Sequence, residues 1–209
     1  MTTADVRALA DLKPVPRAFF DEPVVDLAKR LVGCVLVSAV PGEPVTAAKI
    51  VETEAYRGPE DLAAHSRGGL RTPRTEVMFG RPGHAYVFLL YGASWAFNII
   101  AGPEGAPHAV LLRGGEPLIG AETMSARRNK PSHSRELTNG PGKLSQALGL
   151  NKSHYGVPLT SAELFIARGP RVPVGCSPRI NIDYAGDWVS RPWRFFEVGN
   201  RYVSVKPRT

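Results

Sequence analysis

Cysteine is scarce in this sequence of 209 residues, which contains only Cys34 and Cys176. The two lie far apart and neither belongs to a Cys-x-x-Cys pair, which argues against a zinc site built on cysteine. We expect two buried free thiols in a reducing compartment. The Gly-x-x-x-x-Gly-Lys-Ser/Thr pattern is also absent, so nucleoside triphosphate chemistry is disfavoured.

Long hydrophobic runs are missing as well. The stretch from Ala85 to Pro103 carries no formal charge, but it contains Gly92 and Asn98 and is short for a membrane span. Its aromatic and β-branched residues favour a pair of buried strands. The N-terminus has no apolar core of the kind that a secretory signal needs. We therefore expect no membrane segment and a cytoplasmic protein, associated with the nucleoid if the source is bacterial.

The charge balance is basic, with 26 Lys and Arg residues against 19 Asp and Glu residues and a formal net charge of +7. A basic surface attracts polyanions, of which nucleic acid is the commonest. Charge alone is equally consistent with an ordinary basic protein. The basic residues are spread along the chain, so a separate basic tail is not indicated.

Periodicity and breakers predict one α+β domain over residues 17–209, preceded by a loose N-terminal arm over residues 1–16. The domain is a mixed α/β structure with a largely antiparallel sheet. Between the second and third strands, residues 57–84 form a long segment rich in Gly and Pro, which is typical of a functional loop. Helices are predicted near 21–33, 116–127 and 140–148. Strands are predicted near 34–40, 49–56, 85–91, 95–100, 109–113, 164–167, 193–198 and 202–205.

The second of these strands carries two carboxylates. Alternate residues of a strand share a face, so Glu52, Glu54 and Tyr56 point the same way. Two close carboxylates suit acid–base chemistry only in an enclosed site. A solvated edge-strand face explains the pattern without any function, and from these residues alone it is the favoured interpretation.

Three further positions suggest a site for nucleic acid. His65, with Glu54 and Tyr56, could frame a flat base, although a lone histidine is more often structural. Tyr91 precedes Gly92 at a predicted turn, as expected of a wedge that fills the gap left by a flipped nucleotide, or of a tyrosine packed on the sheet edge. Lys143 opens a helix, where it could bind a phosphate or simply be solvated.

In order along the chain, these segments resemble the alkyladenine (3-methyladenine) DNA glycosylase family. The similarity runs from about Arg17 through almost all of the chain. The motifs that carry it are Val51-Glu52-Thr53-Glu54-Ala55-Tyr56, Gly58-Pro59-Glu60-Asp61, Ala64-His65-Ser66-Arg67-Gly68-Gly69, Thr72-Pro73-Arg74, Tyr91-Gly92, Asn98-Ile99, Val110-Leu111-Leu112-Arg113 and Gly140-Pro141 with Lys143-Leu144.

The resemblance implies a role for each matching residue. Glu54 matches the general base that activates water, and Arg113 matches a residue that helps to hold that water and the nearby phosphate. The backbone carbonyl of Ile180 matches a third water contact. The resemblance also implies a curved antiparallel sheet and no requirement for a metal or other cofactor. The remaining assignments are Tyr56, His65, Phe88 and Asn98 for the base pocket, with Asn98 discriminating against the guanine amine, Tyr91 for intercalation, and Arg67, Arg74 and Lys143 for the DNA backbone.

The expected protein is therefore a monomeric, monofunctional DNA glycosylase that binds double-stranded DNA containing damaged purines. Its substrates would be alkylated purines, with deaminated purines as further candidates. Phe88 and Ala93 depart from some relatives, which leaves the range of lesions open. Two rivals remain at this level: a non-catalytic nucleic-acid-binding module, and a carbohydrate hydrolase that uses Glu52 and Glu54 as its carboxylate pair.

Overall fold

A twisted antiparallel sheet organises the molecule. The computed structural model describes residues 12–90 and 92–206. The order of the neighbouring strands is β3-β4-β5-β2-β1-β6, and β8 pairs with both β2 and β7. This large open sheet in one domain confirms the predicted α+β class. The strands are β1 (Val35–Ser38), β2 (Thr46–Arg57), β3 (Ala85–Leu90), β4 (Ser94–Ala101), β5 (His108–Ile119), β6 (Leu164–Ala167), β7 (Val174–Ser177) and β8 (Arg194–Glu197).

Helices cover one face of this sheet. They are α1 (Val24–Leu31), α2 (Ala121–Arg128) and α3 (Pro141–Ala147). The α1 helix buries an apolar stripe that includes Leu27 and Leu31, at the spacing that the sequence predicts. Thr53 of β2 donates to the carbonyl of Ala28 in α1. Thr53 and its alternate neighbour Ala55 therefore face the helices, which leaves the opposite face of the sheet for other segments.

Strand β2 lies in the middle of the sheet. It pairs with β5 on one edge, and with β1 and then β8 on the other. Glu52 and Glu54 are both 0% exposed. The alternative interpretation, in which these carboxylates lie on a solvated edge strand, is therefore wrong.

Two predicted elements differ from the structure. The segment that begins at Glu116 was expected to be helical, but β5 continues to Ile119 because Glu116 and Pro117 pair with β2. The helix starts only after Gly120, whose φ of 74° breaks the strand in a conformation that favours glycine. Residues 202–205 form a turn followed by bends rather than a strand, and Tyr202 and Val203 pack against Val51.

Strand β7 was not anticipated, because its sequence Val-Gly-Cys-Ser has little strand propensity. Its pairing with β8 holds it in the sheet. Cys34 is buried, but Cys176 in this edge strand is exposed, so the expectation of two buried thiols is wrong for Cys176. At the N-terminal end, Val15 is buried and its N–H donates to the carbonyl of Ile166. Residues 12–16 of the predicted arm thus contact the domain at Val15, and residues 1–11 of that arm lie outside the described residues. Among the described residues, none of the helices is long and apolar enough to cross a membrane.

Candidate active site

One transverse row of side chains crosses four strands on the face away from the helices. Tyr86 of β3 is the registered partner of Asn98 in β4, Asn98 pairs with Leu111 of β5, and Leu111 pairs with Glu54 of β2. Directly opposed residues of an antiparallel sheet share a face. These four residues therefore form the floor of a single site. They are far apart in the sequence: 33 positions run from Glu54 to Tyr86, and a further 25 run from there to Leu111.

Two irregular segments cover this floor and enclose a cavity of about 550 Å³. The long loop between β2 and β3 contributes His65 and Arg74, and the segment before residue 183 contributes Ile180 and Ile182. Most of the lining residues are aromatic or apolar, and polar groups of His65, Arg74, Asn98 and Arg113 converge on the cavity. That combination is typical of a small-molecule or base-binding site.

The Glu54 carboxylate lies behind one end of the cavity and meets hydrogen-bond donors. Its Oε1 atom accepts the Ile180 N–H at 2.7 Å. Its Oε2 atom accepts the Tyr56 hydroxyl at 2.8 Å and Nη1 of Arg113 at 3.3 Å. All three donor residues line the cavity, whereas Glu54 itself is fully buried. A carboxylate has about four acceptor sites, so one remains for a further donor.

Arg113 reaches this carboxylate from an irregular point in β5. Thr53 pairs with Leu112 while Glu52 pairs with Gly114, so Arg113 is the extra residue of a β-bulge. Bulges re-aim side chains and are common beside active sites. Burial by itself would lower the pKa of Arg113. The negative charges of Glu54 and Glu52 outweigh this effect, so the pKa is raised. The guanidinium is thus a fixed cation between them.

Glu52 does not reach the cavity, and its carboxylate instead binds residues that support the site. Its Oε1 atom accepts Nε of Arg113 at 3.1 Å and Nε of Arg194 at 2.7 Å. Ser204 donates its hydroxyl to Oε1 at 2.9 Å and its backbone N–H to Oε2 at 2.6 Å. Because these contacts occupy Glu52, it cannot act with Glu54 as the paired carboxylates of a carbohydrate hydrolase.

A buried ion pair that sequence reasoning missed holds the segment around Ile180. Arg179 donates to Asp61 through its two terminal nitrogens, Nη1 and Nη2, at 2.5 and 2.9 Å, and both side chains are 0% exposed. Arg179 also donates to the carbonyl of Ala55 at 2.9 Å. The pair therefore ties the β2–β3 loop to the residue that precedes Ile180. Asp61 stands in one of the quoted sequence motifs, but only its contact with Arg179 reveals this use.

Tyr56 forms part of the cavity wall next to Glu54. Burial, and then the negative charge of Glu54, raise the pKa of Tyr56 well above its usual value. Its hydroxyl therefore stays protonated and donates to the carboxylate. The guanidinium of Arg179 lies 4.7 Å from the centre of the Tyr56 ring, so a cation already packs against this aromatic.

A second polar group lies at the opposite end of the row. Nδ1 of His65 is 2.8 Å from the Tyr86 hydroxyl, and the His65 ring packs edge-on against Phe88 with 4.5 Å between ring centres. Burial, followed by the charges of Arg74 and Arg67, lowers the pKa of His65 to about 4. Burial raises the pKa of Tyr86 to about 12. Both groups are therefore neutral at neutral pH.

Asn98 lies between these two ends, on the floor of the cavity. Its Nδ2 atom donates to the backbone carbonyl of Tyr86 at 3.0 Å. This bond orients the amide and leaves its oxygen and the second N–H of Nδ2 for a ligand. Among the described residues, no group of three or more His, Cys, Asp or Glu side chains is placed to hold a metal ion.

The structure brings together most of the residues that the sequence nominated. Tyr56, His65, Phe88, Asn98 and Arg113 line the cavity with Glu54 directly behind them. Arg74, nominated for the DNA backbone, also lines the cavity, whereas Arg67 and Lys143 do not contribute to its wall. Lys143 is half-buried and donates to Oδ1 of Asn139 at 3.0 Å. Tyr91, the nominated wedge, lies outside the described residues.

The protein is thus an α+β domain in which an open antiparallel sheet carries a buried carboxylate behind a cavity lined by aromatic side chains. Residues 18–201 match the family described as "Methylpurine-DNA glycosylase (MPG)". The chain belongs to this family and is a DNA glycosylase, a hydrolase of DNA repair.

Several similar proteins match more than nine-tenths of the chain. A protein of Desulfitobacterium hafniense, named "Putative 3-methyladenine DNA glycosylase", is 45% identical over 204 residues, which cover 93% of this chain and 100% of the relative. Proteins of the same name from Bacillus cereus and Bacillus thuringiensis are each 47% identical over 203 residues, covering 91% of this chain and 98% of each relative. The similarity therefore extends over the whole fold.

Proposed function

We propose that this protein flips a damaged purine out of duplex DNA into the cavity and hydrolyses its N-glycosidic bond with a water activated by Glu54. The observation that carries the proposal is the Glu54 carboxylate, buried behind an aromatic cavity with three protein donors and one acceptor site to spare. A water at that site could pass a proton to the carboxylate as it attacks the sugar.

The lining of the cavity suits a flat base. Aromatic side chains from different segments, Tyr56, His65 and Phe88, offer ring faces and edges on which a purine can stack. The oriented amide of Asn98 lies on the floor between them. In this proposal its position discriminates against the exocyclic amine of an undamaged guanine. Phe88 provides stacking without a hydroxyl.

The chemistry follows from the leaving group. Alkylation at N3 or N7 makes a purine cationic, so the glycosidic bond breaks readily through an oxocarbenium-like sugar. Arg113 would orient the water held by Glu54 and contact the nearby phosphate. No lysine lies among the described residues of the cavity wall. A Schiff base is therefore not part of the proposal, and the enzyme would be monofunctional without cutting the strand.

We further propose that alkylated purines, with 3-methyladenine first, are the substrates, in line with the names of the relatives. The net charge of +7 favours association with the phosphates of nucleic acid, and duplex DNA is the form in which we propose that the base is presented. Arg67 and Lys143 are the proposed phosphate contacts. Tyr91 would fill the gap left by the flipped base.

The decisive experiment is release of free base from alkylated duplex DNA under single-turnover conditions. Glu54→Gln keeps the shape of the side chain but removes the proton acceptor, so excision should fall by roughly 10²–10⁴. DNA affinity should change little. Glu122→Gln, at an exposed position of α2 that does not line the cavity, is the matched control. Excision by the Glu54 variant at nearly the wild-type rate would rule out the general-base role.

A further inference from the structure

Arg74 is an exposed cation whose contacts turn inward to the base cavity. Its Cζ atom lies 4.8 Å from the centre of the Phe88 ring, and its Nη2 atom is 3.1 Å from Nε2 of His65. Within residues 12–90 and 92–206, no carboxylate lies within ion-pair distance of Arg74. Arg71, three positions earlier, instead pairs with Glu76 at 2.6 Å. Arg74 thus adds an uncompensated positive charge to the rim of the cavity.

Arg74 and Tyr86 both contact the His65 ring. Nη2 of Arg74 is 3.1 Å from Nε2 and 3.4 Å from Nδ1 of His65. The Tyr86 hydroxyl is 2.8 Å from Nδ1. A guanidinium can only donate hydrogen bonds, and a neutral tyrosine hydroxyl carries one proton of its own. This end of the cavity therefore offers hydrogen-bond donors and positive charge to a ligand.

This donor-rich end is remote from the end where the bond breaks. Glu54 on β2 and Tyr86 on β3 are separated by three strand spacings, which correspond to about 14 Å between their Cα atoms. If the sugar lies near Glu54, as the proposed function requires, the purine edge farthest from the sugar is directed towards Tyr86, His65 and Arg74. These groups would then act on the base as it leaves.

We propose that Arg74 is a specificity-determining residue that assists the departure of neutral purine lesions, such as hypoxanthine, and gives no such help to cationic alkylated purines. When the glycosidic bond of a neutral purine breaks, the bond's electron pair stays on the base, which becomes negative. A cation and aligned donors stabilise that charge. Water supplies hydroxide to the anomeric carbon and its proton to Glu54, and the purine finally takes a proton from solvent.

A purine alkylated at N7 behaves in the opposite way. It carries a positive charge before the bond breaks, and the same electron pair neutralises that charge as the base leaves. A neighbouring guanidinium then has no developing negative charge to stabilise, and it repels the cationic base in the bound state. Arg74 should therefore shift the ratio of the two activities rather than raise both.

The test compares single-turnover excision from two duplexes that differ only in the lesion, hypoxanthine or 7-methylguanine. Removing a buried donor of this kind costs about 10²–10³ in rate, and we expect a smaller loss, about tenfold, for hypoxanthine in Arg74→Gln because the residue is exposed. Excision of 7-methylguanine should stay within about twofold of wild type or rise. Arg74→Lys, which keeps the charge, should retain most of the hypoxanthine activity. Arg71→Gln, in the same loop, should alter neither rate.

Four outcomes would overturn this assignment. An equal loss for both lesions, with a shallower dependence of DNA affinity on salt, would identify Arg74 as a phosphate contact. Unchanged excision of both lesions by Arg74→Gln would show that Arg74 has no role in the pocket. If the wild-type protein excises 7-methylguanine but not hypoxanthine, the role of Arg74 is refuted and the proposed function is not. If it releases neither base, both are refuted.

Discussion

Nε of Arg113 donates to Oε1 of Glu52 across 3.1 Å, and Nη1 of the same guanidinium reaches Glu54 across 3.3 Å. Glu52 also binds Arg194 of β8 and Ser204 near the C-terminal end of the described chain. One carboxylate therefore joins β2, β5, β8 and the final segment. Glu52 holds Arg113 in place, and Arg113 in turn contacts the proposed general base.

Loss of the Glu52 charge should destabilise the fold more than it impairs the chemistry. Glu52→Gln leaves two buried guanidinium groups with less negative charge, and breaking a buried pair costs about 3 kcal/mol or more in unfolding free energy. Urea denaturation measures this loss. Excision per folded molecule should fall much less than in Glu54→Gln, because the acceptor of the water's proton is still present.

Glu116→Gln is the matched control for this experiment. Glu116 also pairs with a cation from the neighbouring strand, Lys49, but its side chain is 37% exposed. Exposed pairs contribute about 1 kcal/mol or less. Equal destabilisation by the two substitutions would mean that the Glu52 network has no special part in the fold.

The titration of His65 should differ from that of an ordinary histidine. Its pKa of about 4, lowered first by burial and then by Arg74 and Arg67, means that its NMR signals should not shift between pH 8 and about pH 5. Because Arg74 contributes to the lowering, Arg74→Gln should raise the midpoint. A wild-type midpoint near the ordinary value of about 6.5 would contradict the buried, neutral ring.

The same shift has a consequence for stability. The unfolded chain binds a proton at His65 below about pH 6.5, whereas the folded chain binds it only below about pH 4. Between these values the unfolded state holds more protons, so the contribution of His65 to stability falls as the pH is lowered through this window. His65→Gln should show a smaller loss of unfolding free energy between pH 7 and pH 4.5 than wild type does.

Binding of undamaged DNA should be weak and dependent on salt. With about four phosphate contacts, the logarithm of affinity should fall against the logarithm of salt concentration with a slope of about −3 to −4. Lys143→Ala and Arg67→Ala should each reduce the steepness of this slope by about 1. Lys29→Ala, on the exposed side of α1 away from the cavity, should leave it unchanged. A slope near zero in the wild-type protein would show that its basic charge does not contribute to DNA binding.

The wedge assigned to Tyr91 by resemblance predicts a dependence on the pairing partner. Flipping costs a few kcal/mol of lost stacking and pairing, part of which an inserted aromatic offsets. Tyr91→Ala should therefore reduce excision of a well-paired lesion more than excision of the same lesion opposite a poor partner. Single-turnover rates in both contexts measure the difference. An identical fractional loss would argue for a tyrosine that merely packs on the sheet edge.

Local sequence was sufficient for several elements of this protein. The stripe that includes Leu27 and Leu31 specified α1, and the apolar run after Gly33 specified β1, because helix and strand periodicities are contained within a few consecutive residues. The ordered motifs around Glu54 and Arg113 were sufficient for the family. The alternation along β2 also placed Glu52, Glu54 and Tyr56 correctly on one face, although it did not determine whether that face was exposed to solvent or buried.

Tertiary pairing decided the rest, because its energetics depend on residues far apart in the chain. The extension of β5 through Pro117 overrode a helical pattern through contacts with β2, and the C-terminal segment became turns around Glu52 rather than a strand. The bulge that makes Arg113 an extra residue is a property of the register between two strands, which neither sequence encodes alone. The same is true of Arg74, whose exposed side chain turns towards His65 and Phe88 only because the loop and β3 meet in space.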